Sequence, residues 1–204
     1  MTIDQQAVTE MTDARRRLLD AGARIFASQG YSGTGVQQIT DAAGANKAML
    51  YYYFTNKDGL YDELLAEGIK RLEDAVLAAE ASADTPLPSR LRAFVGGMLN
   101  IVAEQPELAR IIYREVTGGG ESSRPAIVKH FSESIQRLTV VLRTAMESGE
   151  LRLADPVLSA YSLFGMPVMF ISSHFITGRP LDVPVLVEHI VALFLDGTRK
   201  EELC

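Results

Sequence analysis

Tryptophan is absent from this chain of 204 residues, and cysteine occurs once, as the final residue Cys204. A single thiol excludes an intramolecular disulfide framework and any zinc site built on several cysteines, and it suits a reducing cytoplasm. Positive charge is also short: 20 Lys and Arg stand against 26 Asp and Glu, a net charge of −6. Nothing therefore pulls the whole molecule toward nucleic acid or anionic lipid, and any polyanion site has to be a local patch. The opening MTIDQQAVTEMTD is polar and acidic, unlike a secretory leader, and reads as a disordered lead-in over residues 1–12. Period-two runs, hairpin dipeptides and internal repeats are missing too, which argues against sheets and repeat arrays. The stretch from Val157 to Gly178 lacks Asp, Glu, Lys and Arg and has the length of a membrane span. However, Ser159, Ser162, Ser172, Ser173, His174 and Thr177 interrupt it, Pro167 sits in its middle, and no basic cluster flanks it. It reads as a helix buried against its own subunit or a second one, with no membrane role.

What is present is the composition of a soluble globular protein: 47% hydrophobic residues, 23% charged and a mean hydropathy of +0.07. The length allows one large domain or two small ones with a sizeable core. Helical periodicity begins at Ala14 to Gln29, where Leu18, Gly22, Ile25 and Phe26 share a face, and Gly30 stops it. A short segment from Gly35 to Ala43 carries Val36, Ile39 and Ala43 on one side and ends at Gly44. Asn46 is a good N-cap for a third helix through Phe54, with Leu50 and Phe54 inside. After the break at Thr55 and Asn56 comes a long fourth helix from Lys57 to about Ala81. The segment Ser82 to Ser89, with Pro86 and Pro88, reads as a surface connection. Further helices are expected over 90–104, 106–116, 125–148, 156–177 and 184–200, with the glycine-rich loop TGGGESSR between the second and third of these. The class is all-α. We divide it into the lead-in, a helix-turn-helix domain over 13–60, and a larger helical domain over 61–204 that shares the fourth helix.

Helix, glycine turn, helix is the geometry in which one helix crosses the DNA backbone while the next enters the major groove. In the third helix Leu50 and Phe54 fill the inner face, leaving Lys47, Ala48, Met49, Tyr51 and Tyr52 outside. Outward tyrosines are costly to leave bare, yet a tyrosine can stack on sugar or on a thymine methyl while its hydroxyl donates to phosphate. Packing is the competing use, and Tyr53 suits it best. Residues 1–62 hold six Lys and Arg against seven Asp and Glu, but Asp4, Glu10 and Asp13 lie in or beside the lead-in while the bases cluster.

Here the sequence resembles the TetR/AcrR transcriptional regulators. The resemblance runs from about Ala14 to Leu65 through ARIFASQGYSGTGVQQIT, the turn AAGANKA, and MLYYYFTNKDGLYDELL. Departures are mild: Thr40 where the family usually has Ala, Ala45 where Val or Ile is commoner, and Asn46 where Ser often caps. The resemblance implies that Lys47 and Ala48 read base edges, and that Tyr51, Tyr52 and Tyr53 contact backbone and bases. It also implies a contact from Gln37, a phosphate contact from Thr34 and a phosphate clamp at Lys57, with Asn46 and Met49 completing the DNA-facing set. Arg15 to Arg17 read equally well as further DNA contacts or as a solvated face.

A short recognition helix covers few base pairs, so two copies on a pseudo-palindromic operator are expected. The last two helices are the least polar and, as the resemblance implies, pair into a homodimer. Leu158, Leu163, Val168, Phe170 and Ile171 from one, with Leu186, Ile190, Leu193 and Phe194 from the other, are the candidates. Phe94, Met98, Tyr113, Phe131, Met166, Met169, Phe170 and His174 are candidates to line a cavity for an apolar or aromatic effector, although residues of these types at helical spacing are more often core. The glycines at 30, 33 and 35 follow a helix and not a strand, so they are no dinucleotide fingerprint, and His130, His174 and His189 lie too far apart to suggest a metal. The expected protein is thus a cytoplasmic, ligand-responsive regulator, most naturally a repressor, without cofactor or catalysis. The alternatives are a small all-α enzyme or binding module on the same scaffold, or an activator.

Overall fold

The computed structural model describes residues 2–80, 85–118 and 124–198, and among these there are nine α-helices and no strand. They are α1 (Thr2–Gly33), α2 (Val36–Ala43), α3 (Lys47–Phe54), α4 (Lys57–Ala79), α5 (Leu87–Glu104), α6 (Pro106–Thr117), α7 (Pro125–Glu147), α8 (Pro156–Thr177) and α9 (Val183–Thr198). The start of the connection after α4, the centre of the glycine loop after α6, and Cys204 lie outside the described residues. Helical backbone runs through residues 2–12, where the composition reads as a disordered lead-in. No Gly or Pro interrupts the chain before Gly22, so once α1 is nucleated on its buried stripe each added residue extends it at little cost. At the other end, Gly30 (φ 76, ψ 172) kinks α1 where the sequence places its stop.

The described chain forms two compact units, the first reaching Gly68 and including Glu107–Arg114, the second comprising Ile69–Pro106 and the residues from Glu115 onward. The first unit therefore extends past residue 60, because Leu64 and Leu65 are buried and Ile112 of α6 lies against α4 at Gly68. Its core holds Leu18, Phe26, Ile39, Leu50, Phe54 and Leu60, with Phe26, Tyr31 and Tyr61 in mutual ring contact at 4.8–6.0 Å.

The second unit packs the later half of α4 with α5, α7, α8 and α9 around Phe94, Leu99, Leu138, Leu142 and Leu163, all fully excluded from solvent. Asp155 caps α8, accepting from the amides of Val157 and Leu158 at 2.8 and 3.0 Å, ahead of Pro156 in the first turn. Length and composition would let α8 cross a membrane, and Ser159, Ser162, Ser172 and Thr177 each return their hydroxyl to the carbonyl four residues earlier, so these polar groups are satisfied within the helix. Only 17% of its apolar window is buried, so α8 is far less enclosed by its own subunit than its composition suggests.

Candidate nucleic-acid interface

The turn between α2 and α3 is built by Gly44, whose left-handed backbone (φ 58, ψ 40) suits a residue without Cβ. Its amide donates to the carbonyl of Asp41 at 3.2 Å and that of Ala45 donates to Thr40 at 2.9 Å, the paired bonds of a Schellman termination. Asn46 then accepts from the Met49 amide at 2.9 Å and starts α3. At the far end Thr55 adopts φ 66, unusual for a β-branched residue, and the chain doubles back so closely that a Cβ on Gly59 would sit 2.0 Å from the Phe54 carbonyl oxygen. Asn56 caps α4 by accepting from the Gly59 amide at 2.8 Å.

Held between these turns, α3 buries Leu50 and Phe54 and presents Lys47, Ala48, Tyr51 and Tyr52 to solvent, Tyr52 being 72% exposed. Residues 47, 48, 51 and 52 fall on one face of an α-helix, giving a small cationic and aromatic strip about one and a half turns long. Met49 and Tyr53 are half-buried, and the Tyr53 ring lies edge-on to Tyr52 at 5.1 Å, so it steadies the strip. Gln37 is exposed on α2 with its amide donating to Asp41 at 2.6 Å, which leaves a second amide hydrogen and the Oε1 acceptor for an outside partner.

Two expected phosphate ligands are used internally. Thr34 is buried, and its hydroxyl donates to the Gly30 carbonyl at 2.7 Å, because the kink in α1 frees that oxygen. The Lys57 ammonium donates to the carbonyls of Tyr31 and Thr34, each at 3.0 Å, and lies 4.0 Å from the centre of the Tyr31 ring. It clamps the end of α1 and has at most one donor left for an outside anion. Arg15 is likewise committed, to Glu63 and to the face of Phe54 at 5.4 Å, and Arg17 pairs with Asp13 at 2.8 Å, while Arg16 is exposed.

The expected effector residues are more scattered. Phe94 and Met98 are core, and Phe131, Met166 and Phe170 pack against it, joined by Phe164, whose ring lies 5.3 Å from Phe131. Phe164 sits at helical spacing within α8 and carried no signal distinguishing it from its neighbours. Tyr113 belongs to the first unit and Met169 is exposed. His174 donates from Nδ1 to the Arg179 carbonyl at 2.6 Å and so closes the end of α8. Three concavities in the second unit, of about 160, 230 and 520 Å³, are lined by other residues.

The smallest of these holds His130, whose Nδ1 lies 3.5 Å from Glu73 while its Nε2 lies 3.3 Å from the Ser134 hydroxyl. Burial holds the imidazole below the usual histidine range, against the opposing pull of Glu73. The order hydroxyl, imidazole, carboxylate imitates a hydrolytic triad. However, Ser134 lies mid-helix in α7, where backbone amides are spent on the helix and none can stabilise an oxyanion.

Comparison with known proteins agrees with this geometry. The family model described as bacterial regulatory proteins, tetR family, matches residues 18–64, and the one described as tetracyclin repressor-like, C-terminal domain, matches residues 84–198. The chain belongs to the tetR family. It is a helix-turn-helix transcriptional regulator and not an enzyme. The HTH-type transcriptional repressor DhaR of Mycobacterium sp. (strain GP1) is 24% identical over 69% of this chain and 71% of its own length. AibR, solved in complex with isovaleryl coenzyme A and operator DNA, is 26% identical, covers 88% of this chain and 97% of its own, and superposes with a TM-score of 0.72. The fatty acid degradation regulator FadR from Bacillus halodurans, at 22% identity, 92% and 97% coverage and a TM-score of 0.76, shares the fold.

Proposed function

We propose that this tetR-family regulator is a homodimeric repressor that leaves a palindromic operator when a small, largely apolar molecule binds its second unit. The observation that carries the reading is the exposed Lys47, Ala48, Tyr51 and Tyr52 strip on a helix fixed by a cap at each end. Lys47 donates to guanine O6 or N7, Ala48 admits the helix backbone to the groove, and the tyrosines bind sugar and phosphate. Asn46 and Gln37 flank this strip. DNA binding in turn puts the protein in the cytoplasm.

Pairing through α8 and α9 is supported by their exposed apolar residues. Leu158, Met169, Ile176, Val185 and Leu193 are each more than half exposed in the single subunit, an arrangement that favours a second copy. Leu163, Ile190 and Phe194 are buried within the subunit and are unsuited to that role, whereas Met169, Ile176 and Val185 join Leu158 and Leu193 as interface candidates. The helices α4 and α6 each contribute residues to both units and are covalent paths by which a ligand in the second can bias the first. The aromatic group of Phe94, Phe131 and Phe164, with Met166 and Phe170, is the place we assign to an apolar effector. Isovaleryl coenzyme A, bound by AibR, is the first compound to test, its branched apolar acyl chain being the part suited to this group while the phosphate-bearing remainder lies outside it.

Selection from a random duplex pool at low salt tests the reading. Enrichment of a two-fold symmetric site is the expected result, with half-sites about one helical turn or a multiple apart. No enrichment of any sequence overturns it.

A further inference from the structure

Gly30 kinks α1 close to its end, where the closing carbonyls of a helix run out of intrahelical donors, and two cations converge on this segment. Lys57 holds its far side at Tyr31 and Thr34. The near side is held from a distant part of the chain: Arg114 of α6 donates from Nη1 to the Phe26 carbonyl and from Nη2 to the Ser28 carbonyl, each at 3.1 Å. The guanidinium fork suits this task, since its donors lie in one plane and reach two oxygens at once. Arg114 lies in Glu107–Arg114, the part of α6 that clusters with the first unit, and Ile112 beside it meets α4 at Gly68. Two residues beyond Thr34, the chain enters α2.

From this we infer that Arg114 is a positioning residue for operator binding. With Lys57 it fixes the kinked segment 26–34 that delivers α2, and through the Gly44 turn α3, to the groove. DNA binding thus depends on a side chain more than forty residues beyond the last helix of the helix-turn-helix region, within the stretch matched by the C-terminal family model. This rests on the DNA-binding reading above and adds to it the residue that holds the reading head in place. As a positioning residue Arg114 touches no base or phosphate, so its loss should lower affinity without reducing the number of counterions released.

The test uses the full chain and the site selected by the wild-type protein. Arg114→Ala should raise the operator Kd about tenfold, equivalent to ~1.4 kcal/mol, with an unchanged slope of log affinity against log salt. Arg114→Lys, which can reach one carbonyl but not both, should recover part of the loss. Amide hydrogen exchange over residues 26–36 should speed up in the alanine variant. Met146→Ala, a core truncation in the second unit, serves as the control for general destabilisation, because Met146 lies in that unit's cluster. It should melt earlier yet bind the operator as the wild type does. If Arg114→Ala fails to fold, Arg114→Lys decides: weakened binding at wild-type melting temperature supports the assignment. Arg114 variants that bind within twofold of wild type overturn it, as does an equal loss in Met146→Ala. A wild-type protein that selects no site removes the DNA-binding reading itself, and this inference with it.

Discussion

Lysines 47 and 57 look alike in the sequence, both near helix starts and both beside tyrosines, but the structure gives them opposite duties. Lys47 is free on the outer strip, so Lys47→Ala should leave melting unchanged while flattening base preference at one operator position by about 1–3 kcal/mol. Lys57 donates to two backbone carbonyls, so Lys57→Ala should cost roughly 1.5–3 kcal/mol of stability in denaturant melts, with weaker binding following from the loosened segment. A Lys57→Ala protein as stable as wild type would return the residue to the role of phosphate ligand. His130 supplies a pH dependence. Its imidazole prefers the neutral form when folded, so the unfolded chain binds the proton first. The contribution is intact above the ordinary histidine value of 6.5 and is lost as pH falls from there toward the lowered folded-state value. Thermal melts between about pH 7.5 and 5 should show this decline, and His130→Gln should make it shallower.

Among the helices, α3 and α8 show how far a pattern can be read. The short α3 was legible because its caps and its two inward residues are local features: Asn46 reaches only three residues ahead, and Leu50 and Phe54 are one turn apart. The same locality made the break at Gly30 and the stop at Gly44 readable, although α1 resumes after its kink and runs to Gly33. In α8 the apolar residues run around most of the helix, so periodicity cannot say which side faces the subunit and which faces outward. Only packing divides them, placing Leu163 inside and Met169 outside. A charge on the outer side should therefore break the dimer without unfolding the subunit. Met169→Glu and Leu193→Glu should each raise the dimer dissociation constant by at least about tenfold in light-scattering measurements, with helical content preserved. A dimer that tolerates both would move the interface elsewhere.

For the whole molecule, the charge balance is the feature that needs resolving. A net charge of −6 opposes a polyanion, and several bases near the reading helix are neutralised by Glu63 and Asp13 or turned inward. Binding then relies on a few phosphate contacts per copy, and on two copies acting together. The logarithm of operator affinity should fall linearly with the logarithm of salt with a slope on the order of −4, shared between the subunits. A slope near zero would mean that phosphates play no part. The monomeric Leu193→Glu protein should show about half the wild-type slope, because it engages one half-site.

What the amino-acid order determined by itself was whatever depends on neighbours in the chain: an all-α class, the break at Gly30, which proves a kink, the stop at Gly44, the cap at Asn46, and the outward residues of the short third helix. These are set by backbone propensities and by spacings of three or four residues. The tertiary structure alone decided what depends on distant partners. It turned Thr34 and Lys57 inward, tied Arg15 to Glu63, set Arg114 on the end of α1, and sorted α8 into an inner and an outer side. Carbonyls at the end of a helix take whichever donor the fold brings to them, and no local pattern names that donor.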